Sequence, residues 1–395
     1  MSNSLLTPTK VTRESLRILH QKLNFVGKIN KQYDSSFAVD GAKIGDSLKI
    51  RLPNQYTVTD GAVMTAQDTT ESSVTLQVAT QKHVGMNFST SELALSIDDF
   101  SERIIEPAMS VLAAKVEATA MAMFLDVNNA VDNIGSAITL RKVWEARKKL
   151  ADNLAPMDNN RHILLNTQDA VDLWDSAKGL FAPADTISKQ YTDGKMGRAG
   201  GFDFAENTLI PNHTTGTFLA ATTQTVDGAS QTGASITVSA VAKTYEAGDI
   251  VTFAGCNRCH PETKADTGEL MQFVVTEDEA NSGTTLAISP AISVTGGGQN
   301  VYASPTNGGA VTKVGGASQV YKPSIAFHRD AFAFATADLI MPKGVDFAAR
   351  EVMDGISLRI VRQYDINNDK LPCRVDVLFG YKTLRQQLAC RILSN

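Results

Sequence analysis

The one stretch of this 395-residue chain with the spacing of a reactive centre is Cys256-Asn-Arg-Cys259-His260. Two thiols and an imidazole this close could hold a metal, and Cys-x-x-Cys-His is also the attachment pattern of a c-type haem. Neither chemistry is well supplied. A structural zinc wants four ligands; the cluster offers three, and Cys373 and Cys390 fall in a different part of the chain. Covalent haem requires export, and the start MSNSLLTPTK has no basic region leading into an apolar run. The cluster therefore reads as a β-turn, with Cys256, Cys259 and His260 as the sole metal candidates and no cofactor expected. Four cysteines in such a chain read as reduced thiols.

Nothing else in the sequence has the form of a catalytic apparatus. The six histidines are scattered, and no nucleophile elbow, His-Glu-x-x-His or Walker loop occurs. The run Gly296-Gly-Gly298 leads into a strand pattern and no helix, so it lacks the helix N-terminus that binds phosphate. A basic group, Arg141, Lys142, Arg147, Lys148 and Lys149 around Trp144, could touch nucleic acid or an acidic partner, but it also fits a solvated helix face. No enzyme is expected.

Composition sets the scale. Hydrophobic residues make up 43% and charged residues 20%, as in ordinary globular proteins. The length suggests more than one domain. A net charge of −5 argues against a dedicated DNA binder. No apolar run of about 18 residues is apparent, so no membrane span is expected. Charge is unevenly placed: residues 1–51 hold nine Lys or Arg against four Asp or Glu, and residues 60–138 hold three against eleven. One consequence would be a basic arm lying on an acidic neighbour, where complementarity sets register. Arg13, Arg17, Lys49, Arg51, Asp60 and Asp68 are the interface candidates.

Residues 12–25 carry a helical pattern, with Leu16, Leu19 and Leu23 on one face. Residues 47–59 and 70–88 alternate like the strands of a long ribbon, which alone is marginal in water and needs a surface to lie on. From Ser101 through Pro107 to Val127 runs the strongest helix, roughly 30 Å long from Pro107. Helices follow over 139–154 and 167–178, with a strand at 161–166. From residue 223 the composition turns to Gly, Thr, Ser and Val with no helical period. Strands are expected at 235–241, 249–254, 270–276, 284–289 and 300–303, which suggests a small barrel or sandwich. At the end, Ile356–Tyr364 and Cys373–Arg385 flank the polar turn Asp365–Asp369 and read as a hairpin.

The wording of that last segment, Ala326-Phe-His-Arg-Asp-Ala-Phe-Ala-Phe-Ala-Thr-Ala-Asp338 followed by the hairpin and Leu388-Ala-Cys-Arg391, resembles the C-terminal signature of tailed-bacteriophage major capsid proteins. It is closest to the podophage coat-protein family with an inserted β-domain. The phrase Met196-Gly-Arg-Ala-Gly-Gly-Phe-Asp-Phe to Pro211 is similar to a glycine turn of that family. The resemblance implies an α+β fold of the Hong Kong-phage type. Its divisions would be an N-terminal arm (1–46), an extended loop (47–90), a peripheral domain with a spine helix (91–135), an axial domain (136–222), an inserted β-barrel (223–322), and a return to axial and peripheral domains (323–395). It implies a shell protein that assembles as hexamers and pentamers around double-stranded DNA, held non-specifically, in the virion after assembly in the bacterial cytoplasm. It further implies a portal partner and, since no long scaffold precedes the arm, a separate scaffolding protein. Some relatives cross-link through a loop lysine; here Lys82 is the sole lysine between Lys49 and Lys115, so non-covalent contacts are expected. The rival readings are an encapsulin-like nanocompartment shell and a metal or haem protein built on Cys256, Cys259 and His260.

Overall fold

The structure is a computed structural model, and it describes residues 12–15, 17–18, 23–31, 47–64, 66–68, 71–88, 106–177, 197–218, 224–279, 282–353, 356–367 and 370–394. Most of the expected arm, the lead-in at 101–105, Lys178 and Met196 lie outside the described residues. The fold is α+β and divides into two compact units.

Unit 1 comprises residues 1–50, 73–121 and 332–384. Strands β1 (Ser47–Arg51) and β2 (Ser73–Gln77) form a two-stranded ribbon. The ribbon is anchored by its apolar face: Ile50, Leu76 and Val78 are buried among Ala333, Ala335, Ala337 and Leu378. Strand β3 (Thr80–Phe88) joins a sheet instead of the ribbon, pairing antiparallel with β21 (Leu371–Thr383), Val84 opposite Val375. The expected ribbon strand over 70–88 is thus two strands with different partners. Period-2 alternation suits a solvated ribbon and a half-buried sheet equally, so the pattern alone cannot choose. The sheet is completed by β18 (Phe332–Ala337), β19 (Phe347–Met353) and β20 (Ile356–Arg362) in the order β18-β21-β20-β19.

Helix α1 (Glu106–Met121) packs beside β3. It is Ala-rich and free of Gly, and Pro107 stands in the first turn, where a missing N–H costs nothing. Its buried stripe is Met109, Leu112, Val116 and Met121, each contributing about 1.5–3 kcal/mol of burial. Together with the 3-10 turn Ala122–Asp126 it forms a 21-residue helical stretch apolar enough, by length and composition, to cross a bilayer. That corrects the expectation that no such stretch exists. Half of its apolar window is buried inside the protein, as in a core helix. Residues 23–31, expected in the arm, are built into this unit. Phe25, Val26 and Ile29 are buried, and Asn30 bridges to Ala333 beside β18.

Unit 2 comprises residues 51–72, 122–331 and 385–395. Its first layer is a six-stranded sheet made of β4 (Ala130–Asp132), β5 (Arg161–Leu165), β6 (Arg198–Ala199), β7 (Phe202–Glu206), β17 (Ser324–His328) and β22 (Ala389–Leu393), ordered β4-β22-β17-β5-β7-β6. Strands β17 and β22 are buried at every position. Helix α2 (Leu140–Asp152) buries Val143, Ala146 and Leu150 against the sheet, and α3 (Thr167–Ala177) is capped by the Asn166 side chain, which accepts the Asp169 N–H at 2.7 Å.

The second layer is a barrel. Strands β9 (Gly233–Thr237), β10 (Ile250–Phe253), β13 (Phe273–Val275), β14 (Thr285–Ile292) and β15 (Val311–Lys313) pair in the order β15-β10-β13-β14-β9. Bridges Thr225–Ala310 and Val226–Val238 draw its edges together. Phe218, Tyr245, Phe253 and Phe273 fill its centre. A side hairpin, β11 (Asn257–Cys259) with β12 (Asp266–Leu270), stands on it. The chain enters and leaves the barrel through β8 (His213–Thr214) and β16 (Val320–Tyr321), which pair with each other. The barrel is fixed to the sheet by polar contacts. The Gln272 amide exchanges two 3.0 Å hydrogen bonds with the backbone of Ala130, and the buried Arg391 guanidinium donates to the Gly248 carbonyl at 2.9 Å.

Candidate assembly interface

The segment between β1 and β2 has the features of a surface meant to be covered. Leu52 N–H donates to the Ser72 carbonyl at 2.9 Å, and beyond that pair the described residues of the loop form no strand. Its limbs are held by one side chain: Gln67 accepts the Thr57 N–H at 3.0 Å and returns its amide N–H to the Thr57 carbonyl at 2.5 Å. Gln67 thereby makes the pair of bonds a strand would have made. On this loop the apolar residues Tyr56, Val58, Val63 and Met64 are exposed, Val58 at 91% and Met64 at 87%. Single exposed hydrophobics need no explanation, but several on one tied loop mark an interaction surface.

The charged candidates have modest local roles. Asp60 and Asp68 are exposed on this loop, and Lys49 is exposed at its base. Arg51 lies 3.3 Å from Glu71, both largely exposed; such pairs contribute about 0–1 kcal/mol. Arg17 pairs with Glu14 within its own turn, and Arg13 lies 3.7 Å from Glu351. Among the described residues no ion pair joins two of these candidates. The sequence patterns did not single out Val58, Val63 and Met64. Their signal was present, as apolar residues in a Gly- and Asp-bearing turn where burial within the chain is unattainable.

Three residues of the basic group on α2 have acid partners. Arg141 and Lys142 bond Glu145 at 3.2 and 3.4 Å. Lys148 bonds Glu269 on the side hairpin, which raises the lysine's proton affinity, and lies 3.5 Å from Asp152. Lys148 thus ties this helix face to the side hairpin of the barrel.

The cysteine cluster serves packing. Cys256 is buried in the barrel core, and burial pushes its thiol up to about 12. Cys259 is raised for the same reason and points its thiol at the Gln299 carbonyl, 3.3 Å away. His260 Nδ1 accepts the N–H groups of Thr263 and Glu262 at 3.2 and 3.3 Å, closing a tight turn. A metal needs thiolates, and this setting holds the protons on. Among the described residues no group of three His, Cys, Asp or Glu is placed to hold a metal.

Comparison with known proteins gives one family. The model of the P22 coat protein, gene protein 5, matches residues 19–390. Among solved structures the chain is similar to that of Mycobacterium phage Che8, at 13% identity and TM-score 0.48 over 94% of this chain and 90% of the other. It is also similar to the head structure of Helicobacter pylori bacteriophage KHP40, at 10% identity and TM-score 0.45 over 95% and 90%. A virus-like particle from Pyrococcus furiosus is similar at 7% identity and TM-score 0.41 over 97% and 98%. No curated protein matches.

Proposed function

The chain belongs to the P22 coat protein family, and from that premise we propose how its surfaces build a shell. It is a coat protein: its function is structural, its copies form a phage capsid, and its place is the virion. In our reading the contacts are non-covalent. The loop between β1 and β2 lies on a neighbouring subunit, which covers Tyr56, Val58, Val63 and Met64, while the basic N-terminal segment engages another. Contacts of this head-to-tail kind close into rings when the rotation permits, giving hexamers and pentamers. Several modest contacts per subunit act together, raising avidity by about 10²–10⁴. The Lys-free loop tip fits this mode. The divisions set out for the sequence, from arm to returning hairpin, describe its parts, with residues 23–31 and 80–88 lending themselves to the body of unit 1.

A separate scaffolding protein, a portal, non-specific contact with the packaged double-stranded DNA, and assembly in the host cytoplasm complete the proposal. Neither rival reading is favoured. The family is that of a phage coat, and the Cys256 and Cys259 thiols are buried and protonated.

The observation that carries this reading is the set of four exposed apolar side chains on a loop tied by Gln67 and rooted by Ile50 and Leu76. Substituting Val58, Val63 and Met64 together by Ser should leave a subunit with wild-type circular dichroism that no longer forms shells by sedimentation and electron microscopy. Normal shells from that variant would refute the loop's role.

A further inference from the structure

The triglycine run and the Cys-x-x-Cys-His cluster meet in unit 2, and they meet at the extended loop. A Cβ built on Gly297 would lie 2.2 Å from the carbonyl oxygen of Gln55 and 2.7 Å from its carbon. Backbone thus rests on backbone, an approach only glycine allows. One residue on, a Cβ at Gly298 would stand 3.8 Å from the Gln55 side-chain oxygen, an ordinary contact.

The turn that makes this approach is rigidly held. The Lys264 ammonium donates to the carbonyls of Gly297 at 2.7 Å and Gln299 at 3.2 Å. Lys264 itself has φ of 58°, a left-handed conformation that costs a lysine and persists only where surroundings impose it. They do: Lys264 N–H bonds the His260 carbonyl at 3.0 Å, and His260 N–H bonds the Ala265 carbonyl at 2.9 Å. The Cys259 thiol and the Lys264 ammonium both point at the Gln299 carbonyl. The cluster that looked like a metal motif builds a bracket, and the bracket fixes the glycine turn.

We propose that the Gly296–Gly298 turn, braced by Lys264, is a seat for the extended loop of the same chain, so that the inserted barrel governs how the loop is carried. On the loop side, Gln67 closes the two limbs a short way beyond the seated residue Gln55. The seat is a property of the subunit. Its consequence for shells rests on the loop's proposed role in assembly.

The test uses full-length subunits kept unassembled by dilution. Gly297→Ala should expose residues 54–68 to protease about ten-fold faster, because local opening sets cleavage, and should lower the thermal midpoint. Gly298→Ala should match wild type in both. Replacing residues 54–69 by a short Gly–Ser turn should make Gly297→Ala silent in melting, since the effects of two changes at contacting sites do not add. Equal behaviour of the two alanine variants, or an undiminished Gly297→Ala effect in the loop-replaced chain, overturns the seat. Should Gly297→Ala fail to accumulate, Lys264→Met reads the same contact. Cleavage faster by several-fold with intact barrel circular dichroism supports the seat, and unchanged cleavage overturns it. Lost shells with unchanged cleavage would speak for the loop's part in assembly and against the seat.

Discussion

The carboxylate of Glu117, buried on the inner face of α1, accepts the backbone N–H groups of Phe25 and Val26, residues more than ninety positions earlier in the chain. One side chain of α1 thereby holds the segment at Phe25 and Val26. Removing it strands two buried donors. Glu117→Ala should cost about 3 kcal/mol, and Glu117→Gln, which keeps one acceptor, roughly 1–2 kcal/mol. Urea unfolding of the subunit measures both; a wild-type midpoint for Glu117→Ala would remove this tie from the account.

Asp376 is a second such node. It is fully buried in the middle of β21 and accepts Arg359 at 2.8 Å, Arg374 at 2.6 Å and Gln81 at 3.1 Å. Taking away the carboxylate leaves the mostly buried Arg359 uncompensated, so Asp376→Ala should cost about 3–5 kcal/mol. Arg374 is half exposed, and Arg374→Met should cost under about 1 kcal/mol. The order of the two midpoints is the check, and a larger loss at Arg374 would contradict it.

Stability should also depend on pH through Asp169. Burial raises its carboxyl above the ordinary 3.8, while hydrogen bonds from Ser324 and Ser394 pull it back. The folded chain holds this proton more tightly than the unfolded chain. Its contribution is therefore fullest below pH 3.8 and is lost as pH climbs from there to the raised folded value. Asp169→Asn fixes the neutral form and should flatten that part of the profile. Urea midpoints at about pH 4 and about pH 7 for both proteins decide it; parallel slopes would count against Asp169 as the titrating group.

The thiols offer a simpler test. Burial pushes Cys256 and Cys390 up to about 12 and Cys373 to about 11, with Cys259 also raised. At pH 8 about one in a thousand or fewer of the three strongly shifted thiols is ionised, and the thiolate is the reactive form. A disulfide reagent should find almost no fast thiol in the native subunit and four after denaturation. A single rapidly reacting native cysteine would reopen the reactive-centre reading of Cys256 and Cys259.

The sequence showed local order well and long-range order poorly. Helix α1 was legible because Met109, Leu112 and Val116 recur at helical spacing, and the barrel because turn residues punctuate its short strands. The hidden features have partners far away in sequence. Nothing near Glu117 announces Phe25. The alternation of 80–88 is the same whether it faces solvent or β21. In Gly296-Gly-Gly298 the composition shows a permissive turn, but which glycine touches Gln55 depends on a contact across some 240 residues. Strands β11 and β12 went unread because Cys256–His260 reads as a plain β-turn, and three residues, Asn257–Cys259, are too few to show a strand's alternation.

The pairing of Gln81 with Asp376 spans 295 residues, while every strand of the barrel falls between residues 233 and 313. Synthesis runs from the amino terminus at about 5–20 residues per second. On the ribosome the barrel is complete while unit 1 still lacks β18 through β21. Unit 1 must wait for nearly the whole message to be read, and its waiting strands are those left open to wrong partners. A released chain ending at residue 331 should therefore show a protease-resistant barrel and a fully digestible 73–88.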